Sequence, residues 1–364
     1  MKLEDIRQEI NAIDEEMVKL FVRRMQAADA VADAKRGSGK SVFDPARERD
    51  ILAKVSRTVG PELESEAKLF FTTLMSISRS RQRADLAEGT VFAKFLADAV
   101  TSTADRFPST VSVACPGAEG GYSQQAVCAM VQTPTIFYFR DFDAVFSAVG
   151  SVTPVYDLMA KHDFKIVKAM KLRIRHVLLA PHGAKLADVR EVTSHPYALA
   201  QCSEYLKSRP DVRQVPAANT AVAAAELAKS GRTDAAVIAS RECAELYGLD
   251  ILEEDISDIA SNYTRFVCIS RNCAVYPDAD KVSLMMGLGH RPGALSDVLV
   301  KFAAVGVNLT KLESRPVPGS DFEYRFIFDF EASLRDSKIV RLLSGFATDP
   351  EIEHFNFLGA YAEK

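Results

Sequence analysis

Arg24 interrupts an apolar seam. Ile6, Ile10, Ile13, Met17 and Leu20 recur at alternating spacings of four and three, the narrow stripe by which one helix packs on another, and the next position of that stripe is the arginine. A cation there is costly unless an anion answers it. Lys35 stands eleven residues further on, about three helical turns and so nearly the same face. The two could line one pocket for an anionic ligand, or both could snorkel to solvent and pair with the chain's own carboxylates; periodicity alone supports the two readings equally. Further along, Gly117-Ala118-Glu119-Gly120-Gly121-Tyr122-Ser123 follows an apolar strand and precedes a helical stretch, a weak sign of an anion site. Its spacing is not the dinucleotide fingerprint, which argues against NAD. Ser194-His195-Pro196, Asn219-Thr220, Ala244 to Leu249 and Asn262-Tyr263-Thr264-Arg265-Phe266 are the other polar clusters. Taken alone, Thr264-Arg265-Phe266 reads as the start of a buried strand, and His195 suits a base, a helix cap or a packing role equally.

These groups need elements to hold them. From Leu3 to about Leu86 the chain is helical, with breaks at Arg36 to Lys40 and at Gly60-Pro61. This predicts a long helix to about Lys35, a short one from about Pro45 with Asp44 as N-cap, and a third from about Glu62. Ala87 to Thr110 reads as a linker. From Val111 to about Ser270 short apolar runs alternate with helical stretches, the pattern of an α/β domain. From Lys281 the order is strand (Val282 to Leu288), helix (Pro292 to Ala304), strand (Asn308 to Ser314), strand (Phe322 to Glu331), helix (Ser337 to Phe346) and strand (Ile352 to Leu358), a βαββαβ ferredoxin-like unit. At the start of its first helix Gly289-His290-Arg291-Pro292-Gly293-Ala294-Leu295 lets a ligand approach the backbone, where a helix N-terminus favours a carboxylate. The expected domains are 1–88, a linker at 89–110, 111–271 and 281–364.

Composition limits the function. The 364 residues exceed what one core usually serves. Hydrophobic residues at 48% and charged residues at 26% fit a globular protein without a membrane span. A net charge of −4 argues against nucleic-acid binding through a basic field. The six cysteines are scattered, with no Cys-x-x-Cys pair for a metal or redox site, and no cofactor is expected. With no signal peptide visible, a cytoplasmic location is expected.

The helical region resembles the all-helical chorismate mutases. Arg7, Arg24, Lys35, the run Asp44-Pro45-Ala46-Arg47-Glu48-Arg49-Asp50, Ser78 and Gln82 carry the likeness. The resemblance implies a Claisen rearrangement of chorismate to prephenate, catalysed by positioning and electrostatics alone. Arg7 and Arg24 would clamp the two carboxylates, and Lys35 and Gln82 would hydrogen-bond the ether oxygen. Asp44, Glu48 and Ser78 would bind the ring hydroxyl and order the pocket, with Arg47 in support. The α/β motifs, in this order, resemble prephenate dehydratase, which implies a two-lobed fold like the periplasmic binding proteins. Thr264 would assist the departing hydroxide and Arg265 would bind a carboxylate, with Asn262, Ser194 and His195 as further candidates. The last region, through Gly293, Ala294, Leu295 and Glu313-Ser314-Arg315-Pro316, resembles the phenylalanine-binding ACT domain, which implies feedback by L-phenylalanine; an unliganded ferredoxin-like dimerisation module is the other reading.

Arg7 and Arg24 are seventeen residues apart on one helix, about 25 Å, so one chain cannot place both on one chorismate. A homodimer or higher oligomer with antiparallel long helices, as in the family, is therefore expected. One feature departs from the dehydratase pattern: a strand and a loop with a Glu-Asn-Ser motif are missing where Val149 joins Gly150 directly. Either the protein lacks them and dehydration is badly impaired, or the natural chain holds a further stretch there and dehydration proceeds. Two other readings stay open, a mutase with a disabled dehydratase and a non-catalytic amino-acid-binding regulator. An intact mass clearly above 39.9 kDa is the outcome expected of the longer chain; a mass at that value marks a true deletion.

Overall fold

The computed structural model describes residues 2–36, 41–87, 90–139, 142, 145, 163–259, 261–317 and 324–364. The Val149–Gly150 junction lies outside them. The chain forms two compact units, one of Met1–Ser102 with Lys281–Phe357 and the other of Thr103–Asp280 with Leu358–Lys364.

The first unit begins with helices α1 (Leu3–Lys35), α2 (Pro45–Val59), α3 (Glu64–Ala87) and α4 (Val91–Ser102). Glu4 and Asp5 in the first turn of α1 and Lys35 in its last complement the helix dipole. Asp44 caps α2, its Oδ1 accepting from Arg47 N at 3.0 Å, and Pro45 fills the first helical position. Only the second half of α1 is buried, at Met25, Ala28 and Ala32, where it packs on α3 and Asp29 pairs with both ends of the Arg81 fork. The first half of the seam is uncovered, with Ile10 50% and Leu20 60% exposed. Helix α4 corrects the linker expectation for 89–110. Phe92, Phe95, Leu96 and Ala99 recur at helical spacing, and Leu96 is fully buried.

The second unit is α/β. Strands β1 (Thr110–Pro116) and β2 (Thr133–Phe139) pair in parallel around helix α5 (Tyr122–Met130), and β3 (Lys165–Arg173) pairs antiparallel with β9 (Tyr263–Ser270). Between β3 and β9 the chain builds β4 (Val177–Pro181), β5 (Glu191–Ser194), α6 (Pro196–Gln201), α7 (Ser203–Lys207), β6 (Arg213–Pro216), α8 (Thr220–Ser230), β7 (Ala235–Ala239), α9 (Arg241–Tyr247) and β8 (Leu249–Glu253). Their sheet order is β6-β5-β7-β4-β8, with β5 parallel to both neighbours and β4 antiparallel to both of its own. Strand alternation divides the core. Ala235, Val237 and Ala239 meet Ala221, Ala224 and Leu227 of α8 on one face, and Ala236 and Ile238 meet Ala198, Leu199 and Leu206 on the other.

The chain then returns to the first unit as β10 (Lys281–Leu288), α10 (Ala294–Ala304), β11 (Asn308–Pro316), β12 (Tyr324–Glu331), α11 (Ser337–Ala347) and β13 (Ile352–Tyr361). The sheet order is β11-β12-β10-β13, with β12 antiparallel to both β10 and β11. Phe302 of α10 and Phe346 of α11 pack with Phe328 and Phe330 of β12, all of them essentially without exposure. Within the same unit α11 packs on α3 and α4, and Phe92 meets Phe355 and Phe357 edge to face.

The last residues belong to the second unit, where Ala169 N and Lys171 N donate to Ala362 O and Lys364 O along β3. This approach leaves no room at Gly359, whose φ is +143° and whose added Cβ would lie 2.2 Å from Ile166 O. Gly359→Ala is expected to lower stability by about 3 kcal/mol or more. Gly345→Ala, in α11 with open space around its Cβ, is expected to raise it by about 0.5–1 kcal/mol. Urea midpoints of the two variants check both.

Candidate functional site

On the helical bundle, α1 and α3 place Arg24 against Ser78. The guanidinium Nη1 donates to Ser78 Oγ and, at 3.3 Å, to Leu74 O. Ser78 points its own hydrogen to Leu74 O at 2.9 Å, which leaves its oxygen free to accept. Burial lowers the pKa of Arg24, and the negative charge of Glu48 opposes that shift. Glu48 is itself ion-paired to Arg79 of α3, whose guanidinium also stacks over Phe43. One turn beyond Ser78, Gln82 is buried, and its Oε1 has no hydrogen-bond partner. Lys35 reaches past the end of α1 to Ser41 O at 2.7 Å and Val42 O at 3.2 Å.

Arg24, Glu48 and Ser78 are thus drawn together, with Gln82 a turn beyond. Asp44 caps α2, and Arg47 is exposed. Arg7 is exposed beside Glu4 at 3.7 Å, on the uncovered half of α1. Sequence reasoning missed Arg79 and Arg83, both buried. The available sign was their spacing of four, which parallels that of Ser78 and Gln82 along one helix.

In the α/β unit the candidate groups gather at one edge of the five-stranded sheet. The parallel strands β5, β6 and β7 end there, and His195, Asn219 and Ser240 follow as the N-caps of α6, α8 and α9. In open α/β sheets this is the edge where ligands bind. Asn219 Oδ1 accepts from Ala221 N and Val222 N. The Gly117–Gly121 turn seats on these caps. Gly117 abuts Asn219 so closely that an added Cβ would lie 2.6 Å from Nδ2, Ser240 Oγ donates to Gly120 O at 2.7 Å, and Tyr247 donates to Glu119 O at 2.7 Å. Antiparallel β4 begins at the same edge, since Val177 pairs with Ala239. His176 therefore sits there, with Tyr122 edge-on at 5.8 Å and the Tyr122 hydroxyl donating to Arg175 O. Asn262 O accepts from Ile174 N at 2.8 Å, and its buried Nδ2 has no hydrogen-bond partner.

The structure orients three further sets of candidates. Ser194 is fully buried and donates to Ile238 O at 2.6 Å, so its hydroxyl is occupied within the sheet. His195 accepts from Tyr197 N at its Nδ1, which makes it a helix cap with only Nε2 left for other work. Thr264 is exposed, whereas Arg265, the next residue along β9, faces the opposite side of the strand. There it pairs with Glu363 at 2.5 Å and donates to the Tyr361 hydroxyl. The structure does not bring Thr264 and Arg265 together. His176 was missed, and nothing in its sequence surroundings marks it.

In the C-terminal βαββαβ element, Gly287 of β10 and Arg315 of β11 both pair with Arg325 of β12. The Gly289–Leu295 turn and the Glu313–Pro316 strand end therefore lie at the same end of the sheet, two strand spacings or about 10 Å apart. Gly293, with φ +82°, begins α10 without a side-chain cap. Arg291 pairs with Asp297 at 2.7 Å and Glu351 at 3.3 Å. Glu313 is held by Lys311 and Arg315, which lower its pKa.

Two family models match the chain: chorismate mutase type II over residues 6–83 and prephenate dehydratase over residues 113–274. A bifunctional chorismate mutase/prephenate dehydratase of Neisseria gonorrhoeae is 31% identical, the match covering 92% of this chain and 90% of that protein. Arogenate dehydratase/prephenate dehydratase 2 of Arabidopsis thaliana is 37% identical over 66% of this chain and 71% of its own. Among solved structures, the prephenate dehydratase of Arthrobacter aurescens in complex with L-Phe superposes with a TM-score of 0.61 at 29% identity, covering 70% of this chain and 89% of that one.

His176 supplies a pH test. It is buried, its Nε2 lies 2.9 Å from Gln201 Oε1, and Nδ1 has no hydrogen-bond partner. Burial lowers its pKa, so the unfolded chain takes up a proton near pH 6.5 before the folded one does. The stability contributed by neutral His176 is present above about pH 6.5 and is lost as pH falls from there toward the folded-state value. His176→Gln is expected to flatten the decline of the urea midpoint between about pH 7.5 and 5.5; a slope equal to that of the unsubstituted protein would show that His176 does not titrate on unfolding.

Proposed function

The chain belongs to the bifunctional chorismate mutase/prephenate dehydratase family, and we propose that it converts chorismate to prephenate and prephenate to phenylpyruvate under feedback by L-phenylalanine. The observation that carries the first activity is Arg24, held by a serine hydroxyl and a backbone carbonyl, with no carboxylate in ion-pair contact among the described residues. Its fork is ready for a substrate carboxylate. The rearrangement needs no nucleophile: the ether C–O bond breaks as the new C–C bond forms, and negative charge grows on the ether oxygen. Lys35 and Gln82 are the donors assigned to that oxygen, with Lys35 turning to it from Ser41 O and Val42 O. Glu48, fixed by Arg79, and Ser78 order the ring-hydroxyl end, and Asp44 and Arg47 shape the entrance. Arg7 reaches the site from a second copy. The uncovered Ile6–Leu20 stripe supports this reading, because an antiparallel partner helix covers it and delivers Arg7 to the other protomer's Arg24.

For the dehydratase, the C–C bond to the ring carboxylate breaks, its electrons aromatise the ring, and the 4-hydroxyl departs as water after taking one proton, with CO2 released. Thr264 at the head of β9 is the group assigned to the departing hydroxyl. Asn262 Nδ2, buried without a hydrogen-bond partner among the described residues, supplies a donor for the substrate's anionic groups. Arg265 supports Tyr361 and Glu363 from behind. We assign the C-terminal element as a ferredoxin-like ACT domain, its effector lying between Gly293-Ala294-Leu295 and Glu313-Ser314-Arg315-Pro316. A second reading, a mutase whose dehydratase is disabled, draws on β1 and β9, which share no strand partner among the described residues.

Purified protein given chorismate or prephenate separates these readings. Mutase turnover with phenylpyruvate formation that L-phenylalanine suppresses is expected; turnover of chorismate alone would select the second reading. Arg24→Ala is expected to cut mutase kcat/KM by about 100-fold or more while sparing the dehydratase. Thr264→Val should do the reverse, with a loss of about 100-fold or more in phenylpyruvate formation.

A further inference from the structure

Arg83 has no role in the chemistry above, yet it is among the most buried cations of the first unit at 4% exposure. It lies on α3 directly after Gln82. Its Nη1 donates to Asp349 Oδ2 at 2.5 Å, and Nε and Nη2 have no hydrogen-bond partner among the described residues. Asp349 sits in the turn from α11 to β13 and also takes Lys301, from the last turn of α10, at 2.9 Å. A buried guanidinium with a single carboxylate depends on it, since removing one partner of such a pair leaves an uncompensated charge. The other carboxylates whose charge acts on Arg83 are Glu351 and Glu48, and Glu48 belongs to the mutase site.

The same turn borders the other side of that site. A cavity of about 280 Å³ is lined by Ser41, Val42, Arg83, Leu86, Thr348 and Pro350, and Ser41 O and Val42 O are the acceptors that hold Lys35. The C-terminal turn thus adjoins both donors assigned to the ether oxygen, Gln82 through Arg83 and Lys35 through the cavity wall. The turn is in contact with the effector loop as well. Glu351 N donates to Asp349 Oδ1 at 3.0 Å, the Glu351 carboxylate meets Arg291, and Lys301 is carried by α10, whose N-cap is Gly293.

We propose that Arg83 is a positioning residue of the mutase, through which Asp349 and Lys301 of the C-terminal element set the placement of Gln82 and Lys35 and couple it to the Arg291 loop. The coupling half rests on the effector reading above; the positioning half does not. Both affected groups act on charge that develops only in the transition state, so misplacing them lowers kcat and leaves KM nearly unchanged. A merely structural ion pair would instead lower the unfolding midpoint and leave kcat per folded molecule intact.

The test uses the full-length chain with three substitutions. Without effector, Asp349→Asn is expected to lower mutase kcat about tenfold with KM for chorismate within about twofold and phenylpyruvate formation on the same sample unchanged. Arg83→Met should lower kcat similarly, and the double variant should be no worse than Arg83→Met alone. Mutase kcat at the unsubstituted level in Asp349→Asn, or losses that multiply in the double variant, would overturn the positioning role. With L-phenylalanine, Glu351→Gln, which leaves the buried triad intact, should weaken suppression of the mutase about tenfold while suppression of the dehydratase persists. Equal suppression of the mutase in Glu351→Gln and the unsubstituted protein would overturn the coupling. If calorimetry finds no L-phenylalanine binding to the unsubstituted protein, the effector reading fails and takes the coupling with it, while the ligand-free kinetics still decide the positioning role.

Discussion

A guanidinium taken out of water has to meet an anion or a set of acceptors, and the helical part of the first unit is arranged around three that are. Arg79 is answered by Glu48, Arg83 by Asp349, and Arg24, among the described residues, by hydrogen bonds to a hydroxyl and a carbonyl. This unequal answer separates support from binding. Two arginines are paired with carboxylates inside the unit, while the third has no carboxylate in ion-pair contact among the described residues. Glu48 ties the set together, because it pairs with Arg79 and its field reaches both Arg24 and Arg83.

Much of this was legible in the sequence because misplaced charge stands out against periodicity. Arg24 on an apolar seam was such a mark, and so was Asp44 before Pro45. Arg83 was not legible, since its partner lies 266 positions away and no local pattern links them. The βαββαβ order could be read because each element carries its own strand or helix period, and its sheet order then brings two distant motifs to one end. The Val91–Ser102 helix lies inside a stretch that reads as linker, although its apolar residues recur at the helical period. In the α/β unit the motifs could be located but not oriented. Only the two-residue alternation of β9, once its register was fixed, separates exposed Thr264 from Arg265 against Glu363.

The helix caps explain why the candidate groups of the α/β unit are scattered along the chain yet gathered in space. A parallel strand followed by a helix places the cap at the strand's C-terminal end every time. Three such repeats bring His195, Asn219 and Ser240 to one edge without any of them being near another in sequence. The cap role also constrains chemistry, because an acceptor already filled by the N–H groups of the next turn has less to offer a substrate. His195 and Asn219 are partly committed in this way, whereas the Nδ2 of Asn262 is free of any such duty.

The same hydrogen-bond accounting bears on the other half of the α/β unit. Strand β1 pairs with β2, and β9 with β3, and among the described residues the remaining edges of β1 and β9 have no strand between them. Helix α5 nevertheless packs across both pairs, with Ala126, Met130 and neighbouring Val131 grouped with Val111 of β1, Met170 of β3, and Phe266 and Cys268 of β9. One strand inserted between β1 and β9 would separate them by about 10 Å, a distance a helix of about 10–12 Å diameter spans. Two edges with no strand partner among the described residues leave backbone donors and acceptors to be satisfied elsewhere. A single further strand would satisfy both edges at once and join the two pairs into one five-stranded sheet.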